Sequence, residues 1–189
     1  MKLLEDQIYN SSDFTATQFE IAHYEACSFN SIDFKGSTFS GAKFVDCEFT
    51  DCDLSMVNLT EGLLQNVSFT RCKMLGLFFE TVKPFLFEVR FKECNLENSS
   101  FVCVAAEKTV FDDCKLVGVD FTDANLSEVQ FLDGDLKGAT FCNTNLVKAD
   151  LRIAQNFSIE PQLNQTKNAL VDSANLAGFV RHLGLDIRI

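Results

Sequence analysis

The fold is decided by a stretch in which a large apolar residue returns at every fifth position. Residues 111–150 read FDDCKLVGVDFTDANLSEVQFLDGDLKGATFCNTNLVKAD, so that Phe111, Leu116, Phe121 and Leu126 are evenly spaced. A period of five fits neither an α-helix, with roughly 3.6 residues per turn, nor an alternating strand, with a period of about 2. A fixed short period indicates a repeat architecture instead.

The same period covers most of the 189-residue chain in two registers, separated by a shift of two residues. The first register runs through Phe14, Phe19, Tyr24, Phe29, Phe34, Phe39, Phe44, Phe49, Leu54, Leu59, Leu64, Phe69, Met74 and Phe79. The second runs through Phe91, Leu96, Phe101, Ala106, Phe111, Leu116, Phe121, Leu126, Phe131, Leu136, Phe141, Leu146 and Leu151. We expect a repeat domain at 1–153 and a separate C-terminal segment at 154–189.

Two positions of each repeat are suited to face inward. The central Phe or Leu is one, and the small residue two positions earlier is the other, while Asp or Asn often stands between them, as at Asp33, Asn95 and Asp135. Two inward residues in every five require a corner every five residues, so four repeats close a square coil of twenty. The sequence therefore predicts an all-β fold, a right-handed quadrilateral parallel β-helix with coils about 4.8 Å apart.

The repeat resembles that of the pentapeptide repeat protein family. Ala124-Asn125-Leu126-Ser127 and Ala149-Asp150-Leu151-Arg152 match its consensus of a small residue, Asp or Asn, Leu or Phe, and a polar residue. The resemblance extends from Ser12 to about Ile153. It implies the quadrilateral β-helix that the spacing predicts independently.

The register shift falls in an apolar segment, Thr81 to Phe87, that contains Pro84. Because proline cannot donate to a β ladder, it marks a bulge or a bend. The segment is either a packed kink between two subdomains or an exposed loop that binds a partner.

Six of the eight cysteines occupy the small inward slot, which elsewhere accepts Ser, Ala and Val. These are Cys27, Cys47, Cys52, Cys72, Cys94 and Cys114. A buried free cysteine behaves as a small hydrophobic residue, so we expect reduced thiols rather than disulfides. No C-x-x-C pair occurs, so we predict neither a metal site nor a cofactor.

The C-terminal segment has a different pattern. Leu176, Phe179, Val180 and Leu183 recur at helical spacing, Ser173 can cap the start of a helix, and Gly184 stands where it ends, which predicts a short α-helix. Leu185, Ile187 and Ile189 then alternate as a strand. Since an open β-helix end invites association, we expect this segment to cap the rod or to pair it with a second copy, through Leu176, Phe179, Val180, Leu183, Leu185 and Ile187.

The net charge of −11 lies entirely within the repeats, because the charges from Ala154 onward sum to zero. Glu93, Asp113 and Asp133 share one repeat position and should form a column on one face, with Asp112 beside it. Further candidates are Asp123 and Glu128 near the next corners and the cluster Asp46, Glu48 and Asp51. An acidic surface disfavours nucleic-acid binding and favours a basic protein partner, although acidic residues also simply confer solubility.

The sequence contains few residues or motifs that are suited to catalysis. His23 and His182 are the only histidines, both at positions expected to be solvated, and no phosphate loop, nucleophile elbow or metal cluster is present. The protein is therefore expected not to be an enzyme. The start of the chain has no apolar run long enough for a signal peptide or a membrane span, so we expect a cytoplasmic protein without membrane contact.

The resemblance is closest to bacterial members of the Qnr and microcin-immunity type, in which a segment similar to 156–161 and 176–187 mediates a two-fold dimer. It implies an acidic, DNA-shaped homodimer that occupies the basic DNA-binding surface of DNA gyrase or topoisomerase IV. Such binding would protect the enzyme from quinolones or a peptide toxin, or inhibit it. A scaffold or immunity factor for another protein partner is the alternative, because the strict spacing leaves no room for long protruding loops.

Overall fold

Each coil of the chain has four short sides that are joined by left-handed turns. The computed structural model describes residues 1–12 and 19–184, and these form the parallel β-solenoid that the sequence predicts. Phe14 of the first register, and Leu185, Ile187 and Ile189 of the predicted final strand, lie outside the described residues.

Two sides are hydrogen-bonded parallel sheets. Face 1 consists of β1 (Leu3–Glu5), β3 (His23–Glu25), β5 (Lys43–Val45) and β7 (Leu63–Gln65), in that order. Face 2 consists of β2 (Ile8–Asn10), β4 (Ser28–Asn30), β6 (Glu48–Thr50), β8 (Val67–Thr70), β9 (Val89–Lys92), β10 (Val110–Asp112) and β11 (Gln130–Leu132). Because every coil contributes one strand to a face, neighbouring strands are parallel.

The other two sides are connected by single parallel bridges. Face 3 follows the residues Asp33, Asp53, Lys73, Asn95, Lys115, Asp135 and Gln155. Face 4 has one bridge between Thr38 and Asn58, and a second series of bridges that joins Phe78, Ser100, Asp120 and Thr140 in that order. Along the chain the faces succeed one another in the order 1, 2, 3, 4, so faces 1 and 3 are opposite, as are faces 2 and 4.

The predicted period of twenty is the register of these sheets. Phe29 pairs with Phe49 and Phe111 with Phe131. Their rings stack inside the rod, with centroids 4.6 Å apart for the first pair and 5.3 Å for the second. Since stacked aromatic rings add to the free energy gained by burial, the identical spacing of aromatic residues stabilises the pairing register.

Most corners place the residue two positions after the central one in the left-handed region, as at Asp46, Asp113 and Lys148, with φ of 52°, 50° and 58°. The aspartate or asparagine before the central residue stabilises many of these turns. For example, the Asp135 Oδ1 accepts the N–H of Lys137 at 3.1 Å, which is an Asx turn. This contact explains why Asp and Asn recur at that repeat position.

The small inward slot is buried, as predicted. All six cysteines that occupy it are at most 2% exposed, and the eight cysteines are free thiols, of which only Cys103 and Cys142 are exposed. Burial raises the pKa of the Cys47 thiol to about 12. The Cys47 thiol is therefore neutral at physiological pH.

The β ladder extends beyond the last periodic repeat. Asn145 bridges to Gln165 and Asp150 to Leu170, whereas the sequence pattern of period five ends near Ile153. The backbone can continue to pair without the Phe and Leu pattern, because ladder hydrogen bonds involve main-chain groups only.

The predicted C-terminal helix is present, but it is a 3-10 helix and not an α-helix. It spans Ser173–Phe179, and a second 3-10 turn spans Arg181–Leu183. Its bonds join residues three apart, as from the N–H of Val180 to the carbonyl of Ala177 at 3.1 Å. Asp172 occupies the N-cap position without a side-chain cap bond, so the prediction that Ser173 is the cap was wrong. Gly184 ends the segment in the left-handed conformation, with φ of 65°.

Candidate partner-binding surfaces

The predicted acidic column lies on the corner between faces 2 and 3. Glu93, Asp113 and Asp133 are exposed, and all have left-handed φ between 50° and 56°. The N–H of Glu93 bonds to the carbonyl of Asp112 at 2.7 Å, and that of Asp113 to the carbonyl of Leu132 at 2.7 Å. These equivalent bonds place successive carboxylates directly above one another along the rod.

Asp51 belongs to the same column, although the sequence pattern assigns it to a separate cluster with Asp46 and Glu48. The register shift of two residues hides the relationship, because Thr70 pairs with Lys92, 22 residues later. Arg71 stands between Asp51 and Glu93 on this corner. Its guanidinium binds the Asp51 carboxylate through two contacts, of 2.7 and 2.9 Å. This pairing lowers the pKa of Asp51.

The other candidate acids are distributed over different surfaces. Glu48 and Asp112 lie on face 2, and the Asp112 carboxylate is 3.9 Å from the Lys92 ammonium. Asp46 and Glu128 share the corner between faces 1 and 2, where Glu128 pairs with Lys148 at 3.3 Å. Asp123 is on the diagonally opposite side of the rod from Asp113, because it follows the face 4 residue Phe121.

Face 2 and its two corners are consequently acidic but not uniformly so. Arg71, Arg90 and Lys92 form a basic band across the middle, between the Asp46–Asp51 cluster and the Glu93–Asp113 pair. Arg90 is held in this band by Asn66 and Glu88, at 3.1 and 3.3 Å. The acidic surface around face 2 is thus divided into two parts.

The insertion lies on face 1. Lys83 N–H bonds to the Gly62 carbonyl at 2.8 Å and Glu88 N–H to the Leu64 carbonyl at 3.1 Å, so the residues between them replace one central residue. Phe87 packs against Phe79, with ring centroids 6.2 Å apart. Face 2 continues past the insertion from β8 to β9 without a gap.

The tip of the insertion is nevertheless apolar and exposed. Phe85 is 72% exposed and Leu86 is 50% exposed. The insertion therefore combines features of both alternatives from the sequence, with a packed base and an exposed tip.

The C-terminal segment is attached to the end of the rod through a few specific contacts. The Ile159 N–H bonds to the Gly178 carbonyl at 2.9 Å, and the Phe179 ring packs against Phe157 with centroids 5.4 Å apart. Asn175 donates its side-chain amide to the Arg152 carbonyl at 2.7 Å. These contacts bring the segment back over the last coils.

The residues predicted for capping or dimerisation fall into two groups, one packed on the rod and one exposed. Phe179 and Val180 are half-buried on the rod side, whereas Leu176 and Leu183 are 53% and 58% exposed. The predicted contribution of Leu185 and Ile187 falls outside the described residues.

No group of three or more His, Cys, Asp or Glu side chains suited to a metal ion occurs within 1–12 and 19–184. His23 is less solvated than predicted, since its Nε2 is buried and lies 4.0 Å from a Glu25 oxygen. His182 is exposed, as predicted. Over the same described ranges, no helix has the length and apolar character needed to cross a bilayer.

The model of the family described as "Pentapeptide repeat region" matches residues 3–79 and 85–155. The chain belongs to the pentapeptide repeat family. The gap between the matched ranges coincides with the start of the insertion, where the five-residue spacing is lost. No curated protein sequence matches the chain.

One solved structure shares this fold over nearly the whole length of the chain. A trypsin-treated form of QnrB1, described as a plasmid-mediated fluoroquinolone resistance protein, aligns with a TM-score of 0.63 and 18% identity, over 99% of both chains. HetL, described as involved in heterocyst differentiation regulation in the cyanobacterium Nostoc sp. strain PCC 7120, aligns with a TM-score of 0.43 and 15% identity. That alignment covers 88% of this chain and 84% of HetL.

Proposed function

We propose that this pentapeptide repeat protein is a DNA-mimicking rod that binds the DNA-binding surface of DNA gyrase or topoisomerase IV in the bacterial cytoplasm. It acts by binding and not by catalysis, and it modulates the enzyme or protects it from quinolones or a peptide toxin. The observation that carries the proposal is the stacked corner column of Glu93, Asp113 and Asp133 on a rod of net charge −11.

The spacing of the column sets the strength of the mimicry. Successive coils of a parallel ladder are about 4.8 Å apart, whereas duplex DNA carries one charge per roughly 1.7 Å of axis. The rod therefore presents a lower charge density than DNA, and it competes by combining charge with a rigid surface. Because exposed charges are screened within about 10 Å at 0.1 M salt, binding will weaken as salt rises.

The proposed contact surface consists of face 2 and its two corners. Its C-terminal part holds Glu93, Asp112, Asp113, Glu128 and Asp133, and its N-terminal part holds Asp46, Glu48 and Asp51. Asp123, on the diagonally opposite corner, belongs to a separate surface. The similarity to QnrB1, a fluoroquinolone resistance protein by its description, supports the choice of a quinolone target as the first partner to test.

We further propose that two copies associate through the C-terminal segment. Exposed Leu176 and Leu183 are available to a second copy, while Phe179 and Val180 hold the segment on the rod. Burying exposed leucines between two copies gains about 25 cal/mol per Å² of apolar surface. A dimer of this kind would extend the acidic rod at its C-terminal end.

The test is a supercoiling assay with purified gyrase and, in parallel, a decatenation assay with topoisomerase IV. The full chain is titrated with and without a quinolone, and drug-induced DNA cleavage is measured. Inhibition of supercoiling or loss of drug-induced cleavage is the expected result. No inhibition, no protection and no complex at low salt would refute the proposal.

A scaffold or immunity factor for a different protein is the second candidate. The observation that favours it is the short insertion, which adds only a small apolar tip to an otherwise smooth rod. Affinity capture with the full chain distinguishes the two candidates. A partner other than a topoisomerase, retained at high salt, would support the second.

A further inference from the structure

Face 4 is the one side of the described rod whose successive coils carry no cationic residue. Its six coil segments, with the corners on either side, are 36–41, 56–61, 76–81, 98–103, 118–123 and 138–143, and none contains Lys, Arg or His. Glu61, Glu80, Asp120 and Asp123 are the acidic residues among them. Face 2, by contrast, has its acids interleaved with Arg71, Arg90 and Lys92.

Hydrogen bonds orient two of the carboxylates on face 4. Ser100 Oγ donates to Glu80 at 2.9 Å, and the Thr122 N–H donates to Asp120 at 2.9 Å. The Lys83 ammonium, which belongs to the insertion, is 3.8 Å from Glu61 at the edge of this side. Six coils at about 4.8 Å make the surface roughly 24 Å long.

An apolar groove opens in the middle of the same surface. Bridges join Thr38 to Asn58 and Phe78 to Ser100, but no bridge joins Asn58 to Phe78 in the described part of the chain. The Phe78 carbonyl instead accepts the Thr81 hydroxyl at 2.7 Å and the Thr81 N–H at 3.3 Å, within a 3-10 turn. Turning this carbonyl away from the neighbouring coil separates the two coils.

The groove is walled by side chains that a soluble rod ordinarily buries. Its volume is about 230 Å³, and Met56, Gly76 and Phe78 line it. Met56 is 69% exposed and Phe78 is 57% exposed. A groove of this kind offers an apolar contact to a side chain of another molecule.

We propose that face 4 is a second docking surface, which binds a cationic segment of the partner and receives one apolar side chain of that segment in the groove between Met56 and Phe78. The occupant follows from complementarity: carboxylates without intervening cations select positive charge, and the groove selects an apolar group. The inference rests on the proposed function, in which the partner is a DNA-binding topoisomerase. Because a DNA-binding surface is rich in Lys and Arg, such a partner supplies cationic segments.

Two variants and a matched control test the surface. Glu80→Gln with Asp120→Asn removes two charges from face 4, and the amide oxygens can still accept from Ser100 and Thr122. Asp33→Asn with Glu97→Gln removes two charges from face 3, whose charged residues include Lys35, Lys73, Lys115 and Lys137. Phe78→Ser removes the apolar wall of the groove, and since Phe78 is largely exposed the core is unaffected. Thermal unfolding of each variant verifies its fold.

Affinity for the intact gyrase tetramer is measured with the full chain at low and at physiological salt. We expect the face 4 pair to raise the Kd about tenfold at low salt, Phe78→Ser to raise it about tenfold at both salts, and the face 3 pair to change it less than about twofold. If the unmodified chain binds and the two face 4 variants bind equally well, the docking surface is wrong and the proposed function stands. If the unmodified chain does not bind, both are wrong.

Discussion

Arg71 and Asp51 lie one coil apart on the same corner of the rod and form an ion pair with two contacts, of 2.7 and 2.9 Å. Glu93 lies on the other side of Arg71 in the same column, and Asp113 and Asp133 follow it on the later coils. One cation therefore separates the acidic cluster of the first coils from the acidic column of the later coils.

Replacing Arg71 will change the titration of Asp51. The Arg71 hydrogen bonds lower the pKa of this carboxyl in the folded protein, so Arg71→Gln should raise it toward the usual value of about 3.9. A lowered folded-state pKa stabilises the fold above the unfolded pKa, and this contribution is lost as the pH falls through the folded pKa. The variant should therefore lose less of its stability between about pH 5 and 2 than the unmodified protein. NMR titration of the carboxyl carbons measures the shift, and an unchanged Asp51 pKa would contradict the prediction.

Truncating one ring of the internal stack will destabilise the rod. Phe111 is fully buried between Phe91 and Phe131, with ring centroids 5.2 and 5.3 Å away. We expect Phe111→Ala to lower the free energy of unfolding by about 3–5 kcal/mol. The matched control is Phe85→Ala on the exposed tip of the insertion, which should change it by less than about 0.5 kcal/mol. Chemical denaturation compares the two, and equal losses would contradict this account of the core.

A methyl group at Gly178 will disturb the attachment of the C-terminal segment. A Cβ there would lie 2.0 Å from the Phe157 ring, so Gly178→Ala should cost about 1–3 kcal/mol through overpacking. Gly134→Ala is the control, because its nearest contacts, at 3.5 and 3.6 Å, are ordinary ones. Differential scanning calorimetry separates the variants, and the idea fails if Gly178→Ala melts at the same temperature as the control.

The thiols will react in two distinct classes. Cys103 and Cys142 are exposed and the other six are buried, so a thiol reagent at pH 8 should label two of the eight cysteines in the native protein. Burial of Cys47, which raises its pKa to about 12, keeps that thiol neutral and unreactive. Cys103→Ala with Cys142→Ala should abolish the fast phase. Rapid labelling of more than two thiols in the folded state would show that the inward slot is accessible.

The two sides of the C-terminal segment have different roles in the proposed dimer, one in association and one in attachment to the rod. Leu176→Glu with Leu183→Glu should yield folded monomers, because both side chains are exposed on the single chain and the change removes only the contact with a second copy. Phe179→Ala should lower the melting temperature, because its ring packs on Phe157. Analytical ultracentrifugation measures the oligomeric state. If the unmodified chain is already a monomer, the dimer proposal is refuted.

The sequence by itself determined the solenoid, its twenty-residue register and its buried cysteine slot, because a side-chain period of five with two inward positions is compatible with only one kind of coil. It also placed Glu93, Asp113 and Asp133 in one column. It separated Asp51 from them, because the insertion shifts the numbering by two residues, and only the pairing of β8 with β9 restores the relationship.

Only the tertiary structure decided which surfaces are formed and how the end of the rod is built. The predicted α-helix is a 3-10 helix in which Gly178 lies against Phe157, a contact between residues distant in sequence. The groove at Phe78 depends on one carbonyl that turns into a local 3-10 bond instead of the ladder. Periodicity reports which side chains face inward, but such departures depend on competition between individual hydrogen bonds, which the repeat pattern does not encode.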